Sequence, residues 1–355
     1  MFSKEKNNSF EQSPFHPLTL RTGHYILELL IFGLAVHLIL PQITALEDSF
    51  KVISSMNRWI FILAFMAQIA SYLEYGYLLK ACVSIAKQEL SVLWATVITI
   101  AASSIGLIAG GTLGNSAATY CWSNSLGVNR QGAVLAGTLP PAFNNATLLL
   151  VASLGIVHLL VLHELSRAQM IAFFLISAFI GFIIAIVIWG NAHRSKLISL
   201  VGRISAFWAK LQRSPHVSTS AENMVQRLFD SLDRLKGDGW KQPAISSFLS
   251  IGFDIMTLYL IFLAAGYKVT FGILFAGYGL PMLFGKMAFL IPGGVGIVEG
   301  SMAALYNSMG VPAPITVVVI LTYRIVSFWI PTIFGFPLAF YLQQLALQAK
   351  KERGF

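Results

Sequence analysis

A carboxylate follows directly on a run through which no helix continues: Ile291-Pro292-Gly293-Gly294-Val295-Gly296-Ile297-Val298-Glu299-Gly300, set between two long apolar stretches. A proline and three glycines within six positions break helical geometry. In hydrocarbon, broken backbone survives only where protein or trapped water covers its polar groups. A glutamate at the same depth marks either a polar pathway or a buried ion pair. Other polar groups interrupt the neighbouring apolar runs: Asp254, Lys286, Arg324 and the pair Asn144-Asn145. Both signs of charge inside apolar sequence suit two chemistries. One is a route for a polar headgroup; the other is a lock in which Glu299 and Arg324 tie neighbouring segments together. Unpaired burial is expensive in both cases, so pairing is expected in both. Glu74 and Glu28 are further candidates.

Other chemistries lack their residues. There is no D-x-D, no D-G-x-x-A-R-like run and no G-x-S-x-G, so neither acidic metal ligands nor a nucleophile with a base is assembled. Gly294-Val295-Gly296 opens no βαβ unit, which argues against a nucleotide site. His158, His163 and Glu164 have poor spacing for one helix face, and Cys82 and Cys121 form no C-x-x-C. No metal, no cofactor and no catalytic residue are expected. A membrane-embedded transferase acting on a lipid-linked substrate, or a scaffold for a partner membrane enzyme, remain the alternatives to a transporter.

The elements that must position these groups are membrane helices. An apolar fraction of 56%, a charged fraction of 11% and a mean hydropathy of +0.72 describe a polytopic membrane protein. Apolar runs fall at 24–43, 59–79, about 90–111, 132–162, 170–189, 245–265, 271–291 and 315–345. The run 132–162 is interrupted by Pro140-Pro141, whose lost hydrogen bonds neighbours must replace. Gly106, Gly110 and Gly114 fall four apart, the pattern of a small-residue face for close packing. Residues 191–242 are polar and carry two amphipathic helical patterns, with a capping box at Thr219 to Glu222. That segment suits either a membrane surface or a cytoplasmic hairpin. The net charge of +9 fits the lysine and arginine excess of cytoplasmic loops rather than nucleic acid.

Gly111 and Gly294 are separated by 183 residues, and so are Gly127 and Gly310, with Asn124-Ser125 aligning on Asn307-Ser308. Two structural halves are expected. If residues near 90–128 and near 271–309 each enter and leave on one side, Lys80, Lys87, Arg130, the long basic segment and both tails all lie inside. Only Lys51, Arg58, Arg167 and Lys268 then remain outside, as the positive-inside rule prefers. The expected fold is an all-α bundle of about six full spans plus two re-entrant or broken-helix hairpins, arranged as an inverted repeat. Its divisions are a polar cytoplasmic tail at 1–23 and a first transmembrane half at 24–190, with a glycine hairpin near 106–128. A cytoplasmic segment at 191–242 follows. A second half at 243–346, with the Pro-Gly-Gly hairpin near 285–311, leads to a basic cytoplasmic tail at 347–355.

Pro292-Gly293-Gly294-x-Gly296-x-x-Glu299, Leu305, Met309-Gly310, Leu321-x-Tyr323-Arg324 and Pro331-x-x-x-Gly335 together resemble the flippase-like transmembrane region of lysylphosphatidylglycerol synthases and its stand-alone relatives. The resemblance implies a multi-pass cell-membrane protein that moves a phospholipid or lipid-linked headgroup between leaflets, with membrane lipids as partners. It adds Tyr323 to Glu299, Arg324, Asp254, Lys286, Gly293, Gly294, Gly296, Asn144 and Asn145 as the expected pathway. The first half departs from the pattern. Gly114-Asn115-Ser116-Ala117 and Leu139-Pro140-Pro141-Ala142 carry no charge where the family often has Glu and Arg.

Overall fold

The computed structural model describes residues 54–108, 111–161, 193, 199, 239–287 and 292–352. Two compact units divide the chain at residue 44, and all described residues belong to the second. The expected spans at 24–43 and 170–189 and nearly all of the polar segment 191–242 lie outside the described residues, as does Glu28.

Every regular element described is helical. In the first half these are α1 (Arg58–Ser84), α2 (Val92–Ile108), α3 (Thr112–Ser125) and α4 (Arg130–Val161). In the second they are α5 (Lys241–Ala264), α6 (Phe271–Met287), α7 (Ile297–Ser308), α8 (Ala313–Arg324) and α9 (Ile330–Glu352). A 3₁₀ turn at Pro292–Gly294 precedes α7, and a π turn at Ile325–Trp329 joins α8 to α9. Among the described residues, four stretches are long and apolar enough to cross a bilayer: Arg58–Ser84, Arg130–His158, Lys241–Ala264 and Ala313–Gln348. The chain is a multi-pass membrane protein built as a helical bundle. At 1.5 Å per residue, α3 and α7 reach only about 20 Å, short of a hydrocarbon core of about 30 Å.

The 183-residue offset recurs in the elements. Helices α1 and α5 begin at Arg58 and Lys241, α4 and α8 at Arg130 and Ala313. Gly111 and Gly294 both turn the chain with positive φ, 66° and 62°, as do Gly127 and Gly310 at 95° and 83°. Packing follows the same exchange: α1 lies along α5, while α4 packs on α6 and α9 packs on α2. One core gathers residues of α5 to α8 around Ala64 of α1 and Leu148 and Val151 of α4. The other gathers residues of α1 to α4 and takes Ala339 and Leu342 from α9. Each half thus completes the core of the other.

Two sequence expectations are corrected. Pro140 and Pro141 do not interrupt the fourth run, because both lie inside the unbroken α4. Ending the helix there would expose more backbone polar groups than two prolines remove. Gly106 and Gly114 do not share one helix face either. Helix α2 stops at Ile108, and Gly111 donates its N–H to Gly106 C=O at 2.7 Å to fold the chain back. A side chain at Gly106 would run into Gly111 O and Asn115. The small residues close a hairpin; Gly110 is outside the described residues.

The π turn has a local cause. Pro331 has no N–H, and its ring displaces the carbonyl four residues earlier, that of Ser327. The Tyr72 hydroxyl on α1 donates to this freed carbonyl at 2.9 Å. Tyr72→Phe is expected to leave Ser327 C=O without that donor and to cost about 1–3 kcal/mol, measured by thermal unfolding in detergent. The α4–α6 contact depends on glycine: a Cβ at Gly155 would lie 2.4 Å from Ala276 N, and one at Gly279 2.6 Å from Ala152 Cα. Gly155→Val is expected to force the helices apart and destabilise by about 1–3 kcal/mol. Gly252→Val, at a glycine with open space around it, should show no such drop in the same melt.

Candidate functional site

The Pro-Gly-Gly segment takes its shape from glycine. Gly293, Gly294 and Gly296 have φ of 64°, 62° and 84°, which side chains rarely adopt. Two of them are also crowded. A Cβ at Gly293 would meet the Phe328 ring at 2.5 Å, and one at Gly294 would meet Gly285 Cα at 2.7 Å. The segment is therefore pressed between α6 and the π turn. Helix α7 begins one residue after Gly296, and Glu299 stands in its first turn. Its Oε2 accepts the Gly296 N–H at 2.6 Å, satisfying one of the orphan donors of the helix start. The positive end of α7 also favours the carboxylate there.

Its other oxygen is equally committed. Arg324 at the end of α8 donates Nε–H to Glu299 Oε1 at 2.5 Å, and both side chains are buried. Nη2 of Arg324 reaches Gly293 C=O at 3.4 Å, and its guanidinium lies 4.2 Å from the Phe328 ring centroid. One ion pair thus joins the start of α7, the end of α8, the 3₁₀ turn and the π turn.

Asp254 makes a separate arrangement. The hydroxyls of Tyr278 on α6 and Tyr323 on α8 donate to its Oδ2 at 2.6 and 2.9 Å. Among the described residues its buried Oδ1 has no partner, and neither has the buried Oε1 of Gln68 on α1. Lys286 donates to Asn145 Oδ1 across the α4–α6 contact. Lys286 and Asn145 are exposed on the protein surface, and Asn144 is half-buried on α4. Glu74 is half-buried on α1.

Nine of the ten expected residues therefore form three neighbouring groups. Glu299, Arg324, Gly293, Gly294 and Gly296 belong to the locked segment; Asp254 and Tyr323 to the tyrosine site; and Lys286 with Asn145 to the α4–α6 contact. Asn144 joins none of these bonds. The charged residues are paired unevenly. Arg324 is bonded to Glu299 and not to Asp254, and Lys286 is bonded to an amide and not to a carboxylate. Tyr278, Tyr72 and Gln68 were not expected. Gln68 carried a signal, being an amide inside an apolar run, whereas nothing in the sequence marks Tyr278 as the partner of a carboxylate 24 residues away.

The matching positions of the first half carry no charge. At the 183-residue offset, Asp254, Lys286 and Glu299 correspond to Ser71, Ser103 and Ser116, while Tyr323-Arg324 correspond to Pro140-Pro141. A small crevice there is lined by Tyr75, Thr99, Asn115, Thr119 and both prolines. Leu79 and Ala136 complete its mostly apolar, uncharged wall.

Comparison with known proteins agrees with this architecture. The chain is 30% identical over 156 residues to a UPF0104 membrane protein of Methanocaldococcus jannaschii, covering 43% of this chain and 46% of that one. It is 29% identical over 172 residues to one from Methanothermobacter thermautotrophicus, covering 45% and 48%. A further relative, from Pyrococcus horikoshii, is 38% identical over 96 residues, covering 25% and 26%. The matched stretches span less than half of these curated relatives. Residues 25–335 match the family described as the lysylphosphatidylglycerol synthase TM region, and the chain belongs to that family.

Proposed function

We propose that the protein moves a phospholipid or lipid-linked headgroup between the leaflets of the cell membrane, with both termini on the cytoplasmic side. The observation that carries this reading is a broken backbone segment placed beside buried charge of both signs. Such segments are tolerated at membrane depth where they line a polar path. The short α3 and α7, each closing a hairpin with the helix before it, suit re-entrant segments. The exchange of partners between halves suits an inverted repeat, in which two halves swap roles as the path opens to one face and then the other.

Within this reading the groups have different tasks. Both oxygens of Glu299 are engaged, and Arg324 bonds Glu299 and Gly293 C=O, so the pair holds the segment in place. Lys286 lies exposed at the surface between α4 and α6 and meets the phosphate of the lipid, with Asn145 steering its ammonium. Acyl chains remain in the bilayer. The partners are membrane lipids, and the reading assigns no catalytic step.

Two results test it. Purified protein in liposomes, with fluorescent phosphatidylglycerol and a membrane-impermeant quencher, is expected to show flipping that Lys286→Gln reduces about tenfold or more, a loss worth about 1.4 kcal/mol. The variant should retain its melting temperature; equal rates in the two proteins would sink the assignment of Lys286. The lock makes a different prediction. Glu299→Gln is expected to lower stability by about 3–5 kcal/mol, as removal of one partner from a buried pair does. Exchanging the charges, Glu299→Arg with Arg324→Glu, is expected not to restore it. The Gly296 N–H needs an acceptor at 299, and Gly293 C=O needs a donor at 324.

A further inference from the structure

Asp254 is not used by the lock or by the contact at Lys286, yet groups from three neighbouring helices face its half-buried side chain. From α1 come Gln68, whose amide lies beside it, and Tyr72. From α6 come Tyr278 and, within electrostatic range, Lys286. From α8 come Tyr323 and Arg324. Helix α4 meets α5 through the hydrogen bond between Thr147 and Ser247, which carries no charge.

The hydrogen-bond distribution around this carboxyl is lopsided. Both tyrosine hydrogens go to Oδ2, and buried Oδ1 receives none. Neither neighbouring cation answers it directly, since Arg324 is bonded to Glu299 and Lys286 to Asn145. Gln68 adds a second buried acceptor without a donor, its Oε1. Burying an ionised carboxylate with an unsatisfied oxygen is costly, and the neutral acid avoids that cost while gaining an O–H donor. One proton on Oδ1 supplies the hydrogen that this buried oxygen lacks.

We propose that Asp254 Oδ1 is a proton-binding site whose occupancy sets the attraction of the neighbouring lysine site for an anionic phosphate. Protonation is a simple balance, carboxylate plus one proton giving the neutral acid. With the proton bound, Glu299 and Arg324 cancel, Asp254 is neutral, and Lys286 leaves the region with one net positive charge. That matches the single negative charge of a phosphodiester. With the proton gone, Asp254 cancels Lys286, and the attraction falls away. Proton and anionic headgroup therefore bind together and leave together. The coupling to lipid movement rests on the function proposed above; the proton site rests on the geometry alone.

The test separates the two. Infrared difference spectra of the full-length protein in phosphatidylcholine liposomes are expected to show a protonated carboxyl C=O stretch that shifts in deuterium oxide. The band should vanish in Asp254→Asn. Tyr278→Phe should keep it and move it to higher frequency, because one O–H donor to the carbonyl oxygen is lost; this variant identifies the group if Asp254→Asn fails to fold. No such band, or one indifferent to both substitutions, overturns the proposal. In the same liposomes, a trace of fluorescent phosphatidylglycerol should flip faster when the side of addition is made acidic. Asp254→Asn, fixed in the neutral state, should lose that dependence. A band assigned to Asp254 with flipping indifferent to pH overturns the coupling. The band without any flipping by the native protein leaves the proton site standing and removes the transport reading.

Discussion

The bond between Glu299 and Arg324 ties together four irregular parts of the chain. A 3₁₀ turn, a helix start, a helix end and a π turn all carry backbone groups that regular structure would have satisfied internally. In apolar surroundings those groups need partners from the protein itself. Glu299 covers the Gly296 N–H, and Arg324 reaches Gly293 C=O, while the two neutralise each other. The pair also fixes where α7 and α8 lie. Everything argued for Asp254 depends on it, because an Arg324 released from Glu299 would be free to answer the carboxylate of Asp254 instead.

The framework repeats and the chemistry does not. The starts of α1 and α4 and the positive-φ Gly111 and Gly127 recur 183 residues on in α5, α8, Gly294 and Gly310, yet Asp254, Lys286, Glu299 and Arg324 correspond to serines or a proline in the first half. The shared features are backbone features: tight turns, hairpins and close helix contacts. They are what allows two halves to fit together through the same set of contacts. Charge is needed once, and a second buried charged constellation would add a desolvation penalty without adding a contact to the frame. The first-half crevice has a mostly apolar wall with a few hydroxyls and one amide, and it carries no charge.

Much of this was legible from sequence, for identifiable reasons. Helices at 58–84 and 241–264 follow from uninterrupted apolar runs, and the break at 291–296 from proline and glycine density. The pairing of Glu299 with Arg324 followed from the cost of leaving either alone. The partners of Asp254 and Lys286 did not follow, because two carboxylates and two cations permit several pairings and only the packing of α5 against α6 and α8 selects among them. Pro140 and Pro141 misled because proline was read as an interruption, whereas α4 simply continues past them. The glycine series at 106, 110 and 114 misled because a four-residue spacing describes one face only if the helix persists, and Gly111 ends it. Gln68 was visible as an amide in an apolar run, but its relation to Asp254 depends on α1 lying along α5.

The π turn after Arg324 has a rotational meaning for the helix beyond it. An α-helix advances about 100° per residue, so one residue taken up in a wider turn sets the azimuth of everything that follows. In α9 this azimuth directs Gly335 at Ser104 of α2, where a Cβ would come within 2.0 Å of the serine oxygen, and it seats Ala339 and Leu342 in the first-half core. Without the inserted residue the same face would point about 100° away, presenting bulkier side chains to α2. Pro331 thus does more than disturb a ladder of hydrogen bonds. It dials the last helix to the angle at which the two halves mesh.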